Sequence, residues 1–190
     1  MQPETVQTSD IELLAEITRG NEQALAMLYD RYRSILFGLM LRILHNRQEA
    51  EDVLQEVFLQ VWQRAGNFDE MRGKPFTWLV TLARSRAIDR LRALGSRERT
   101  VEQATHESED VIFDAEQNAI LAQRGAVVRD ALAELSEEQQ RVLKLAYFDG
   151  FSQSEIAEKL DSPLGTVKTR MRTGMIRLRE LLGSQRQNLR

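Results

Sequence analysis

Apolar residues recur at three- and four-residue spacing along almost the whole chain, and that period is the signature of the amphipathic helix. Ile11, Leu14 and Ile17 mark a short helix that Ser9 and Asp10 can cap and Gly20 can end. Leu28, Tyr32, Ile35, Leu36, Leu39, Met40 and Ile43 mark a longer one. Asn46 starts a third, carrying Val53, Leu54, Val57, Phe58, Val61 and Trp62 and stopping near Gly66. Asn67 to Lys74 reads as a loop, and a fourth helix runs from Pro75 to about Leu94, ending at Gly95. No alternating pattern suggests a strand. The expectation is an all-α chain of two helical domains, residues 1–95 and 126–190. A flexible acidic linker over 96–125 joins them, where the apolar period fades.

Composition removes several function classes. There are no cysteines, so disulfides, thiolate zinc sites and cysteine nucleophiles are excluded. The two histidines, His45 and His106, are far apart in sequence and offer little to a metal or catalytic centre. No catalytic residue, metal or cofactor is expected. The longest apolar run, Ile35 to Leu41, is far short of the roughly 20 residues of a membrane span. Met1 to Asp10 lacks the charge and apolar core of a signal peptide, so a cytoplasmic protein that is not membrane-embedded is expected.

Charge is unevenly spread. The net formal charge is −3, yet residues from Leu164 onward hold 7 Lys/Arg against 1 Asp/Glu, while 96–125 hold 3 against 7. A basic C-terminal helix on an acidic chain points to one local polyanion contact. The preceding residues give that helix a context. Ser136 can cap a helix with Val142, Leu143 and Ala146 on its apolar face. Ser152 can cap a short helix with Ile156, Ala157 and Leu160. A turn over Asp161 to Gly165 leads into the basic helix, which is expected to run from about Pro163–Thr166 to Leu182, a helix-turn-helix arrangement. On a helical wheel Val167, Met171, Gly174, Leu178, Leu181 and Leu182 share the buried face. Thr169, Arg172 and Thr173 point outward, with Thr166, Lys168 and Arg170 nearer the flanks. Short hydroxyls and guanidinium groups there suit base edges in a major groove, and Lys168, Arg177 and Arg179 suit phosphates.

The helix from Asn46 presents Asp52, Gln55, Glu56, Leu59 and Gln63 opposite its buried arc. A leucine ringed by carboxylates and amides resembles a protein-binding face, an apolar anchor inside a polar rim. The carboxylates lack the Glu-x-x-His spacing of a helix-borne metal site. Next, Asn67, Phe68, Lys74 and Trp78 place aromatics among polar and cationic residues, with Arg84, Arg86, Arg90 and Arg92 on the helix behind. That mixture suits unpaired bases and single-strand backbone. Phe76, Leu79, Val80 and Ala83 read as core.

These segments together resemble a bacterial extracytoplasmic-function (ECF) sigma factor. The run Ala50 to Trp62, Phe68-Asp69, Thr77-Trp78-Leu79 and Ala87 to Arg92 are similar to its promoter-melting domain. Leu135-Ser136, Gln153 to Ala157 and Gly165 to Arg170 are similar to its −35-reading domain. The resemblance implies that Asp52, Gln55, Glu56 and Leu59 dock on the clamp of the RNA polymerase largest subunit. It implies that Asn67, Phe68, Lys74, Trp78, Arg84 and Arg86 engage the melted −10 strand. Thr166, Lys168, Thr169, Arg170, Arg172 and Thr173 would read the −35 element. Core RNA polymerase (clamp and flap region), promoter DNA and an anti-sigma factor are the partners implied, and the acidic linker would thread through the polymerase. Ser85 stands where the family often has Asn, and Thr173 where it often has Arg. The rival reading is a dimeric helix-turn-helix regulator with a helical sensor domain. It leaves the Asp52–Leu59 arc and the acidic linker without a purpose.

Overall fold

The structure, a computed structural model, describes residues 8–98 and 128–188. The described residues are helices joined by turns, in two compact units, one within 1–109 and one within 110–190.

The N-terminal unit contains α1 (Asp10–Thr18), α2 (Glu22–Leu44), α3 (Arg47–Arg64) and α4 (Pro75–Glu98). Each of the first three starts where a side chain can satisfy the helix's orphan N–H groups. Ser9 and Glu12 form a capping box on α1. Asn21 accepts from the backbone N–H of Gln23 and Ala24, and Asn46 from that of Glu49. Between α2 and α3 the chain reverses through His45, whose φ of 51° is the left-handed value that ends a helix. The long α2 packs against α1, α3 and α4. The fully buried side chains are Leu13, Leu14 and Ile17 of α1, Leu28, Leu36, Met40 and Ile43 of α2, Val53, Val57 and Val61 of α3, and Leu79 of α4. Each such side chain stabilises the fold by roughly 1.5–3 kcal/mol relative to exposure.

The C-terminal unit contains α5, helical over the described residues 128–133, then α6 (Glu137–Tyr147), α7 (Gln153–Lys159) and α8 (Leu164–Asn188). Capping boxes start α6, through Ser136 and Gln139, and α7, through Ser152 and Glu155. The core is small: Val142, Leu145, Ile156 and Val167, flanked by Phe151, Leu160 and Met171.

Four sequence expectations need correction. First, α4 passes through Gly95 to Glu98, because that glycine takes no left-handed φ and nothing crowds it. The first three residues of the expected linker therefore extend α4, and residues 99–125 lie outside the described residues. Second, Gly165 is a helical residue of α8. The left-handed residue of the turn is Asp161, at φ 46°. Third, α8 continues beyond Leu182 to Asn188. Fourth, Phe76 is not core: it is 40% exposed in the first turn of α4, its ring tilted against Tyr32 with centroids 5.5 Å apart.

Candidate functional site

On α3 the spacing Glu49, Asp52, Glu56, Leu59 runs down one face, because residues three and four apart are neighbours on a helix. The opposite face, with Ala50, Val53, Leu54, Val57 and Val61, is buried in the unit. Leu59 is left 58% exposed, with Gln55 and Glu56 exposed beside it. Asp52 is only partly outward. Its Oδ2 lies 3.9 Å from Nη2 of Arg90 on α4, and Arg90 also pairs with Glu49. The Glu49 hydrogen bond and charge, with smaller contributions from Glu56 and Asp52, raise the Arg90 guanidinium above its ordinary pKa. Arg90 is thus held by the acidic helix, and the expectation that it faces nucleic acid is corrected. Sequence offered no signal for this pairing, since 41 residues separate Arg90 from Glu49.

The loop between α3 and α4 is built from two short 3-10 turns, Ala65–Asn67 and Glu70–Arg72. Phe68 lies between them, half-buried, its ring edge-on to Trp78 with centroids 5.9 Å apart. Asp69 accepts from the Met71 N–H at 2.9 Å and fixes the second turn. Asn67 and Lys74 are exposed on either side. The structure therefore joins Phe68 to Trp78, with Lys74 four residues before Trp78. It separates Arg84 from Arg86. Two residues apart on a helix is about 200° of rotation, and both side chains are half-buried. Arg84 falls on the side of exposed Thr77 and Thr81, whereas Arg86 falls one turn before Arg90, on that residue's flank. The described residues contain no group of acidic or histidine side chains arranged to hold a metal ion.

In the C-terminal unit, Ile156 of α7 and Val167 of α8 are fully buried against α6. This leaves Lys168, Thr169, Arg172 and Thr173 exposed on α8, with Thr166 and Arg170 half-buried on a flank. Thr169 and Thr173 each donate back to the carbonyl four residues earlier, at 2.9 Å. Thr173 also accepts from Nε2 of Gln139 at 3.1 Å. The hydroxyl expected to point outward is thus engaged from α6, and Arg172 is the long donor left on the outer face.

The family model for Sigma-70 region 2 matches residues 28–97, and the one for Sigma-70, region 4 matches residues 126–178. The ECF RNA polymerase sigma factor SigK of Mycobacterium sp. (strain JLS) is 36% identical over 179 residues, which is 93% of this chain and 92% of that protein. The chain belongs to the ECF sigma-factor family. SigK of Mycobacterium tuberculosis (strain ATCC 25177 / H37Ra) is 34% identical over 188 residues, covering 92% of this chain and 95% of its own. Among solved structures, Rhodobacter sphaeroides SigE in complex with the anti-sigma ChrR is 30% identical, covering 91% of this chain and 97% of that one, with a TM-score of 0.46. As an ECF sigma factor, this protein is a transcription-initiation factor that directs core RNA polymerase to promoter DNA. Among its described residues no helix is long and apolar enough to cross a membrane.

Proposed function

We propose that this sigma factor divides its work between two surfaces. Residues 1–98 hold the polymerase and the melted −10 strand, residues 126–190 read the −35 element, and 99–125 link the two. The observation that carries this reading is Leu59, exposed on a buried-backed helix with Gln55, Glu56 and Asp52 around it. An apolar anchor with a charged rim matches the anatomy of a protein interface, and its partner is the clamp of the polymerase largest subunit. Arg90 holds Asp52 and Glu49 in register behind that rim.

The −10 strand is received by Asn67, Phe68, Lys74, Trp78 and Arg84. Phe68 and Trp78 supply ring faces and edges, and Lys74 supplies charge to the backbone. Arg86 is a weaker member, being on the other flank of α4. At the −35 element, Arg172 supplies the bidentate contact to a base edge, with Thr169 beside it. Lys168 and Arg170 bind phosphate, and Thr166 lines the flank. The flap region completes the polymerase contacts. An anti-sigma factor regulates the protein, a reading supported by the solved SigE complex with ChrR. The protein carries no catalysis of its own and acts in the cytoplasm. Melting is binding chemistry, in which unpaired bases gain stacking partners.

The test is Glu56→Arg, which alters an exposed position and spares the core. We expect unchanged helicity and a loss of core-polymerase affinity of at least about tenfold, as for the removal of an interface charge. Unchanged affinity removes the docking assignment. A symmetric footprint on DNA without polymerase supports the dimeric regulator instead.

A further inference from the structure

The first turn of α6 reaches across to the third turn of α8 through one side chain. Gln139 closes the capping box of α6: its backbone N–H donates to Ser136 Oγ at 3.3 Å, and its Oε1 accepts from the Ser136 N–H at 3.2 Å. The same amide donates from Nε2 to Thr173 Oγ1 at 3.1 Å. A carboxamide has an acceptor end and a donor end, so one side chain both caps its own helix and grips the neighbouring one.

The grip sits where the two helices touch. A Cβ placed on Gly174 would lie 3.2 Å from Leu143 Cδ1 and 3.4 Å from Gln139 Cβ, so the absence of a side chain there sets the approach of α8 to α6. Thr173 is held from its own helix too. Its hydroxyl donates to the Thr169 carbonyl, and that of Thr169 donates to the Gly165 carbonyl, both at 2.9 Å. Hydrogen bonds therefore run without a break from the N-cap of α6 to the first turn of α8, along one edge of the basic helix. The hydrogen bond at this edge and the close approach at Gly174 restrain the rotation of α8 about its own axis. Arg172 precedes Thr173 by about 100° of helix, so an anchor at Thr173 fixes where the guanidinium points.

We infer that Gln139 is a positioning residue for −35 selectivity, acting through Thr173 on the direction of Arg172 and not through contact with DNA. The inference rests on the reading of α8 as the −35-reading helix. It separates two properties that a stability role would move together, namely the integrity of the unit and the choice among −35 sequences.

Holoenzymes carrying Gln139→Ala, Gln139→Glu, Thr173→Val, Ser136→Ala and the double variant Gln139→Ala with Thr173→Val are scored on a library of −35 variants. Core-polymerase affinity is measured alongside. Gln139→Ala is expected to lower the preference at the position read by Arg172 by about 3- to 10-fold, the range that one neutral hydrogen bond commands. The double variant falls no further than either single one, because both cut the same link. Gln139→Glu keeps an acceptor for the Ser136 N–H and removes the Nε2 donor, so it lowers the preference with the cap intact. Ser136→Ala weakens the cap, leaves the link and leaves the preference unchanged. Polymerase affinity is unchanged throughout.

The inference is overturned if Ser136→Ala lowers the preference as much as Gln139→Ala does. Additive losses from Gln139→Ala and Thr173→Val, or a preference that none of the variants moves, overturn it as well. A wild-type holoenzyme with no −35 preference at any position overturns instead the reading of α8 on which it rests.

Discussion

The N-terminal unit backs its surfaces with a large core, whereas the C-terminal unit holds its basic helix on a small one. Among the described residues, twenty buried apolar side chains lie in the first unit and seven in the second. The first can therefore fix its outward acidic helix by burial, adding long-range ion pairs such as Arg90 with Glu49 and Arg31 with Asp10. The second, with less to bury, adds to its two capping boxes and left-handed Asp161 a close approach of α8 to α6 at Gly174 and the hydrogen bond from Gln139 to Thr173. The docking face and the base-reading helix proposed above both need rigid presentation, and the two units supply it from cores of different size.

If core size separates the units, equal truncations must have unequal outcomes. Leu36→Ala and Ile156→Ala each remove a fully buried branched side chain, at a cost of about 2–5 kcal/mol. We expect Ile156→Ala to abolish the folding transition of the C-terminal unit at ambient temperature, while Leu36→Ala lowers the N-terminal transition without removing it. Chemical denaturation of the full chain, followed by helicity and by hydrogen exchange in each unit, checks this. Loss of both transitions in either variant would mean that the units do not fold independently.

A smaller effect separates the glycines. Gly174→Ala forces a methyl group against Leu143 and Gln139, whereas Gly95→Ala meets open space. The first should destabilise the C-terminal unit by about 1 kcal/mol, overpacking outweighing helix propensity. The second should stabilise α4 by about 0.5 kcal/mol. Thermal melts of the two variants read the opposite signs directly.

The smallest effect is confined to alkaline solution. Tyr32 is pushed up to about 12 by burial first, then by its hydrogen bond to Asp10 and the charge of that carboxylate. A raised pKa on an acid means that the folded state holds the protonated phenol. This contribution is fully present below the ordinary tyrosine value near 10, and is lost as pH rises towards 12. Tyr32→Phe should therefore flatten the alkaline loss of stability in the N-terminal unit, and a titration of its unfolding midpoint between pH 9 and about 12 checks the slope.

What the sequence made legible was whatever is periodic or local. The three- and four-residue apolar spacing located the helices, and Ser136, Ser152 and Asn46 announced their starts. Leu59 was visible because one helical wheel fixes both its own exposure and the burial of Val57 and Val61. Contacts between distant segments were not legible. Nothing local marks Arg90 as the partner of Glu49, or Gln139 as the partner of Thr173. Phe76 was misread because its side chain falls in the first turn of α4, where the chain has just entered from a loop and the apolar face is not yet enclosed. Glycine misled twice, at Gly95 and Gly165, since composition alone does not tell a helical glycine from a terminating one.

Promoter binding measured with and without core polymerase tests the division of labour most directly. One fluorescently labelled promoter duplex carrying −35 and −10 elements is titrated with the full-length protein alone, with core RNA polymerase alone, and with both. A net charge of −3 and a single basic helix predict weak, unselective binding by the protein alone. Selective binding should appear only when polymerase is added, and Leu59→Arg should return the mixture to the level of core polymerase alone. Tight, sequence-specific binding by the free protein, unaffected by Leu59→Arg, would contradict the account.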